Sequence, residues 1–330
     1  MIRSQLELYL LSYKRKTHSL SKTQELVVAT QNVKIVEVGL RDGLQNESTQ
    51  LSVQQRFELI QKLIDAGIRT FEVGAFVSPK WVPQMACTSE LTKIVLKKYS
   101  DQKKYQSSVL VPNVQGLQEA LQSGIKEVAI FASASESFSQ KNINCSIAES
   151  FERFKAIMPI AKKNKIKVRG YLSVCFGCPF EGAVSEKQVI KLAKKLIDLG
   201  CYEVSIGDTI GVADAGQVES LIKKLKKVIP IKKIAGHFHD TRGQALANIL
   251  AAYQQGVRVF DSSVGGLGGC PYAKGATGNV ATEDVAYLFQ SMNVKTNLNL
   301  SKLIEINRWL QPQMNHELSS KVSKVGLLKV

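Results

Sequence analysis

No apolar run in this chain approaches the roughly 18 residues needed to cross a bilayer. Nothing at its start reads as a secretory signal, so a soluble protein with no membrane partner is expected. The six cysteines (Cys87, Cys145, Cys175, Cys178, Cys201, Cys270) lack a paired zinc-type spacing, which points to free thiols in a reducing compartment. Cys175 and Cys178 make a lone CxxC, read as a structural turn. No GxGxxG follows the first apolar strand, which weighs against a doubly wound dinucleotide-binding sheet. Histidine is scarce as well: the chain has four, and two of them are His237 and His239.

With 330 residues and 44% apolar content, the chain can bury one substantial core. Its formal net charge is +16. Lysines such as Lys191, Lys194, Lys195, Lys223, Lys224, Lys226 and Lys227 fall on helical faces without interleaved aromatics, so a solvated surface is expected rather than a nucleic-acid partner. The same charge attracts an anionic substrate. Residues 1–32 carry Arg3, Lys14, Arg15, Lys16 and Lys22 among frequent Ser and Thr, and form an N-terminal extension, disordered or targeting. Residues 33–330 are expected to form the main domain, with a helical segment from about residue 292.

From Val33 the chain alternates short apolar strands with amphipathic helices. The strands are expected at 33–38, 69–73, 106–111, 127–131, 167–174, 202–206, 234–239 and 258–262. Between them, Val218, Leu221, Ile222, Leu225 and Val228 keep a helical period, as do Phe57, Ile60, Leu63 and Ile64. Gly67, Gly124, Gly200 and Gly256 each stand where a helix must stop. Eight such units predict an α/β protein of the (β/α)8 TIM-barrel class, with one extra helix at 300–310.

That fold places active sites at the carboxyl ends of its strands. The polar residues at those positions are Arg41 and Asp42 after the first strand and Glu72 at the end of the second. Asp208 and Thr209 follow the sixth, His237 and His239 end the seventh, and a loop from Gly265 to Asn279 follows the eighth. On a strand, His237 and His239 project to one face, with Phe238 on the other. Asp42, His237 and His239 offer one oxygen and two nitrogen ligands, and Asn279 adds a carbonyl oxygen. With no thiolate required, this set suits Mg2+ or Mn2+ acting as a Lewis acid. Arg41 would bring a fixed positive charge to a developing enolate oxygen, held by Glu72; a purely structural salt bridge is the alternative. The run at 264–271 (VGGLGGCP) reads as a mobile lid carrying the Cys270 thiol as proton donor or acceptor, with a simple turn as the alternative.

Four stretches carry a resemblance to a known family: VEVGLRDGLQNE at 36–47, FVSPKWVPQM at 76–85, GDTIG at 207–211 and GGCPYA at 268–273. They resemble the 3-hydroxy-3-methylglutaryl-CoA lyases, within the metal-dependent TIM-barrel lyases and Claisen synthases, over residues 33–289. Leu40 departs from the proline usual before Arg-Asp. The resemblance implies retro-Claisen cleavage of 3-hydroxy-3-methylglutaryl-CoA to acetoacetate and acetyl-CoA, as in leucine degradation and ketone-body metabolism. It implies a divalent cation on Asp42, His237, His239 and Asn279, enolate stabilisation by Arg41, support from Glu72 and Asp208, and proton handling by Cys270. An acyl-CoA substrate gives the basic surface a use, and Lys141, Asn142, Lys80 and Thr209 are candidate contacts to it. A homodimer is expected, cytoplasmic in a bacterium and in the mitochondrial matrix in a eukaryote. The alternatives are a lyase for a related hydroxyacyl-CoA and a Claisen synthase. Synthases usually show RDGEQ where this chain has RDGLQ, and carry a long carboxyl-terminal region.

Overall fold

Eight parallel strands close on themselves in chain order, β1 beside β2 and so on until β8 pairs with β1. They are β1 (Lys34–Glu37), β2 (Thr70–Ala75), β3 (Gln106–Leu110), β4 (Glu127–Ser133), β5 (Lys167–Ser173), β6 (Glu203–Asp208), β7 (Ile234–Phe238) and β8 (Val259–Ser262). This computed structural model describes residues 32–101, 103–268 and 278–327. Each expected strand therefore has a counterpart, and the TIM-barrel class holds. The N-terminal extension up to Gln31, and Cys270 with its neighbours 269–277, lie outside the described residues.

The helices between strands are α1 (Val53–Asp65), α2 (Thr88–Lys98), α3 (Val114–Ser123), α4 (Glu136–Ile143), α5 (Ile147–Lys163), α6 (Glu186–Leu199), α7 (Ala215–Leu225) and α8 (Ala245–Gln254). After β8 come α9 (Thr282–Ser291), α10 (Leu300–Leu310) and the short α11 (Lys321–Val325). Helix starts are capped chemically. Ser52, Ser146 and Asp214 each accept a backbone N–H from the third helical residue, whose side chain reaches back to the cap. Helix stops follow the glycines: Gly124 and Gly200 end α3 and α6 at φ 89° and 118°. In α7, Val218, Leu221, Ile222 and Leu225 are buried as their spacing requires. Val228 falls beyond that helix and is 43% exposed, because the helical period ends three residues before it.

Strand ends shift by one or two residues from the sequence reading, and the shifts in β6 and β7 matter at the barrel mouth. Strand β6 runs on through Asp208, whereas β7 stops at Phe238 and leaves His239 in an isolated bridge with Asn279. The first loop departs further. Val38 O accepts the amides of Arg41, Asp42 and Gly43 at 3.0, 2.8 and 3.2 Å, so residues Gly39–Gly43 form a single wide π-helical turn. That turn follows β1 directly. Leu40 is fully buried in it, which keeps this departure from proline inside the core.

Candidate metal centre and its cavity

The turn at 39–43 and the end of β7 bring their polar side chains together. Asp42 Oδ2 lies 3.6 Å from His237 Nε2 and 3.8 Å from His239 Nε2, and the two Nε2 atoms are 3.2 Å apart. Three ligand atoms, one from each residue, fit within 4.8 Å of one another. Asn279, after β8, donates its side-chain amide to Asp42 Oδ2 at 3.0 Å and to Leu267 O at 3.2 Å. One carboxylate oxygen, two imidazole nitrogens and a nearby amide carbonyl are the donor chemistry of a hard or borderline divalent cation with open positions, so these residues fit such an ion.

The electrostatics agree with that fit. The neighbouring Arg41 and the two imidazoles hold Asp42 well below the usual carboxylate range, against the opposing effect of its burial. Burial pushes His237 down, yet a hydrogen bond to Asp261 and the charges of Asp42 and Asp261 outweigh it and raise its pKa. A potential that favours an imidazolium also favours a bound cation.

Residues on non-adjacent strands set the geometry. Asp261 on β8 accepts from His237 Nδ1 at 3.3 Å and from Ser205 Oγ at 2.7 Å, which leaves the His237 Nε2 lone pair facing Asp42. Arg169 on β5 pairs with Asp261 at 2.9 Å and with Glu203 at 2.8 Å, and donates to Tyr171 Oη at 2.7 Å. Strands β5 and β8 are not neighbours, so these contacts cross the barrel interior. Arg169 and Arg41 lie 4.9 and 5.1 Å from the Tyr171 ring centroid. Arg41 Nε also donates to Glu72 Oε2 at 2.6 Å, and its other arm pairs with Asp42 Oδ1. At 6% exposure, Arg41 is a buried cation at the wall of the cavity.

Sequence reasoning missed Asp261, Arg169, Tyr171 and Glu37. Glu37 ends β1, fully buried, and accepts from the amides of Gly39 and Val264 at 2.8 and 2.9 Å and from Thr282 Oγ1 at 2.6 Å. It clamps the two loops that carry Asp42 and Asn279. A buried acid at a strand's carboxyl end was a usable signal for Glu37, since that is the criterion that selected Glu72. Asp261, the penultimate residue of its strand, met the same criterion, whereas nothing local marked Arg169.

The structure treats the remaining expectations unequally. Thr209 lines the cavity over the Asp42, His237 and His239 cluster, and its hydroxyl accepts the Val174 amide at 2.9 Å. Asp208 turns its carboxylate to the Val212 and Ala213 amides at 2.9 and 3.1 Å, where it shapes the loop after β6. Burial raises its pKa, and it stands outside the cavity lining. Asn142 lines both the 200 Å³ cavity over the metal-type cluster and an adjoining one of 780 Å³, while Lys141 lines only the latter. Both sit in the last turn of α4. Lys80 is exposed in the turn after β2, beside the 87% exposed Trp81, and lines neither cavity. Cys175 and Cys178 are buried and free; the chain bends at 175–176, and two backbone hydrogen bonds of 2.8 and 2.9 Å between Cys178 and Gly182 close the turn that follows.

A closed parallel barrel with a basic side chain, a carboxylate and two imidazoles gathered at the carboxyl ends of its strands defines a TIM-barrel enzyme with a triad able to hold a metal ion. The HMGL-like family model matches residues 32–310, and the chain belongs to that family. It is 48% identical over 297 residues to the 3-hydroxy-3-isohexenylglutaryl-CoA/hydroxy-methylglutaryl-CoA lyase of Pseudomonas aeruginosa, covering 90% of this chain and 98% of that protein. It is 48% identical over 304 residues to the mitochondrial hydroxymethylglutaryl-CoA lyase of Rattus norvegicus, covering 92% of each. Among solved structures, an HMG-CoA lyase from Acinetobacter baumannii in complex with coenzyme A and 3-methylmalate superposes with a TM-score of 0.85 at 34% identity, over 90% of this chain and 96% of that one.

Proposed function

We propose that this protein is a divalent-metal-dependent lyase that cleaves 3-hydroxy-3-methylglutaryl-CoA to acetoacetate and acetyl-CoA. The observation that carries the reading is the meeting of Asp42, His237 and His239 within 4.8 Å beside the buried Arg41, in a chain 48% identical to hydroxymethylglutaryl-CoA lyases from a bacterium and a mammal. Asp42, His237, His239 and Asn279 would hold the cation, Mg2+ or Mn2+. When bound, it supplies Lewis acidity that lowers the cost of an alkoxide at C3 and polarises a substrate carbonyl.

The protein's own residues account for the rest. The C3 hydroxyl gives up its proton, the electron pair of the C2–C3 bond moves to C2, and C3 becomes the ketone of acetoacetate. The acetyl-CoA enolate left behind takes a proton at C2. Arg41 faces the negative charge as it develops on the thioester oxygen, and its pairing with Glu72 and stacking on Tyr171 fix the guanidinium before the reaction begins. Cys270 is the group proposed to move the protons. The outer cavity, with Lys141, Asn142 and Arg153 on its wall, would take the coenzyme A arm. The compartment follows the source: cytoplasm in a bacterium, mitochondrial matrix in a eukaryote.

The test is incubation of the purified protein with 3-hydroxy-3-methylglutaryl-CoA and Mg2+ or Mn2+, following acetoacetate. Metal-dependent acetoacetate release is expected, abolished by a chelator and restored by added metal. Absence of acetoacetate with either ion overturns the reading. The Pseudomonas aeruginosa relative is named for a second substrate with a longer 3-substituent, so 3-hydroxy-3-isohexenylglutaryl-CoA belongs in the same assay.

A further inference from the structure

Glu47 has no part in the chemistry above, yet it is only 4% exposed and satisfied on every side. Its Oε1 accepts the Gly268 amide at 3.0 Å, its Oε2 pairs with His316 Nε2 at 2.7 Å, and its backbone carbonyl accepts Gln84 Nε2 at 2.6 Å. One residue thus joins the loop after β1, the glycine run after β8, the turn after β2 and the segment after α10. Asn315 adds a second tie from that segment, to Ser48 Oγ at 2.6 Å.

The bond to Gly268 leads to Asn279. Gly268 O accepts the Gly278 amide at 2.7 Å, and Leu267 O accepts the Asn279 side-chain amide at 3.2 Å. With those donors fixed, and the same amide given to Asp42, the Asn279 carbonyl oxygen is the atom left to face the cation. Space around Gly268 is tight. A Cβ there would stand 3.0 Å from Asn279 Nδ2, 3.2 Å from Gly43 Cα and 3.3 Å from Asp42 O, and its φ is +102°. The backbone at 267–268 therefore rests on the Asp42 turn on one side and holds Asn279 on the other. Glu47 is the side chain that secures it.

We propose that Glu47 is a positioning residue for the metal site, acting through Gly268 on Asn279, with His316 as its outer partner. The inference rests on the reading of Asp42, His237, His239 and Asn279 as metal ligands. It assigns a role to the carboxyl-terminal segment, which brings His316 to Glu47 across the barrel mouth.

The experiment measures Mn2+ affinity by paramagnetic resonance titration of the purified full chain, together with kcat and KM for the acyl-CoA. Outer residues that orient metal ligands typically change affinity by about ten- to a hundredfold, so Glu47→Ala is expected to weaken Mn2+ at least tenfold and to lower kcat with KM changed less than about threefold. Glu47→Gln keeps an oxygen acceptor for Gly268 and is expected to recover most of the loss, while His316→Ala costs about threefold. A folded Glu47→Ala protein that binds Mn2+ within about twofold of the parent overturns the proposal. Should Glu47→Ala fail to fold, Glu47→Asp, which draws the oxygen back from Gly268, carries the same criterion. Asp42→Asn serves as the control. If it too leaves Mn2+ affinity unchanged, the metal-site reading falls and this proposal with it; if only the Glu47 variants are unchanged, the positioning role alone is lost.

Discussion

His237 shows how one side chain acquires its chemistry from partners far away in sequence. Its Nδ1 meets Asp261 of the next strand, and Arg169 of β5 holds that carboxylate from across the barrel interior. The three form a relay that fixes which nitrogen is free. Asp261→Asn keeps the shape but replaces the charged acceptor with an amide that can turn its NH2 toward His237. It should weaken Mn2+ about ten- to a hundredfold with the barrel still folded, as read by metal titration alongside circular dichroism. Unaltered affinity in a folded variant would detach Asp261 from the site. At this scale the sequence was legible where chemistry repeats locally. The pair His237 and His239 shares one strand face, and Arg41-Asp42 sits directly after a strand. It was illegible where a contact spans strands that are distant in the chain, as with Arg169 and Asp261. Position at a strand's carboxyl end does not say which way a side chain turns, and Asp208 turns its carboxylate to the Val212 and Ala213 amides.

Elements were legible to the extent that each depends on its own residues. Valine- and isoleucine-rich runs gave the strands, helical spacing gave the buried face of α7, and glycine marked the stops of α3 and α6. The residues of α10 keep their apolar spacing across its whole length, so its bounds, Leu300–Leu310, coincide with the expectation. The wide turn at 39–43 had no such signature, since its form depends on what packs against it. Gly43 illustrates the point. A Cβ there would lie 2.8 Å from both Leu267 Cβ and Ser263 Oγ, so the turn reaches its place only because this position has no side chain. Gly43→Ala should therefore push the Asp42 turn away from the loop after β8. The expected cost is about 1–3 kcal/mol of stability, in the range of overpacking, with a matching loss of Mn2+ binding. Denaturant titration and metal titration of one sample check both, and a variant unchanged in each would show that the neighbouring loop yields freely.

At the scale of the molecule, buried acids impose a pH dependence on folding. Burial raises Glu37 and Glu283 from 4.5 to about 7, against hydrogen bonds that act in the other direction. The folded protein therefore holds these protons more tightly than the unfolded chain does. The stabilisation is complete below pH 4.5 and is lost as pH rises to about 7, by up to roughly 3 kcal/mol per carboxyl. Asp261, lowered from 3.8 to about 2 chiefly by Arg169 acting against burial, has the opposite sign, and its contribution is lost as pH falls through that lower window. The contribution of Glu37 and Glu283 should therefore decline as pH rises from about 4.5 to about 7. Glu37→Gln should flatten part of the decline. Urea unfolding at several pH values measures it, and an identical slope in the variant would remove Glu37 as a source. Closure of the barrel itself was legible as a count of eight βα units, but the charged layer inside it was not, because only closure brings β5 opposite β8.

Asp42 follows the first strand and Asn279 the last, and those strands are hydrogen-bonded neighbours at the seam of the barrel. During synthesis, a ribosome-bound chain lacking its final βα unit owns the aspartate and both histidines but has no ring to seat them. Under the proposed ligand set, a full complement of cation ligands belongs only to a chain whose eighth strand has closed the ring, and occupancy would report that closure.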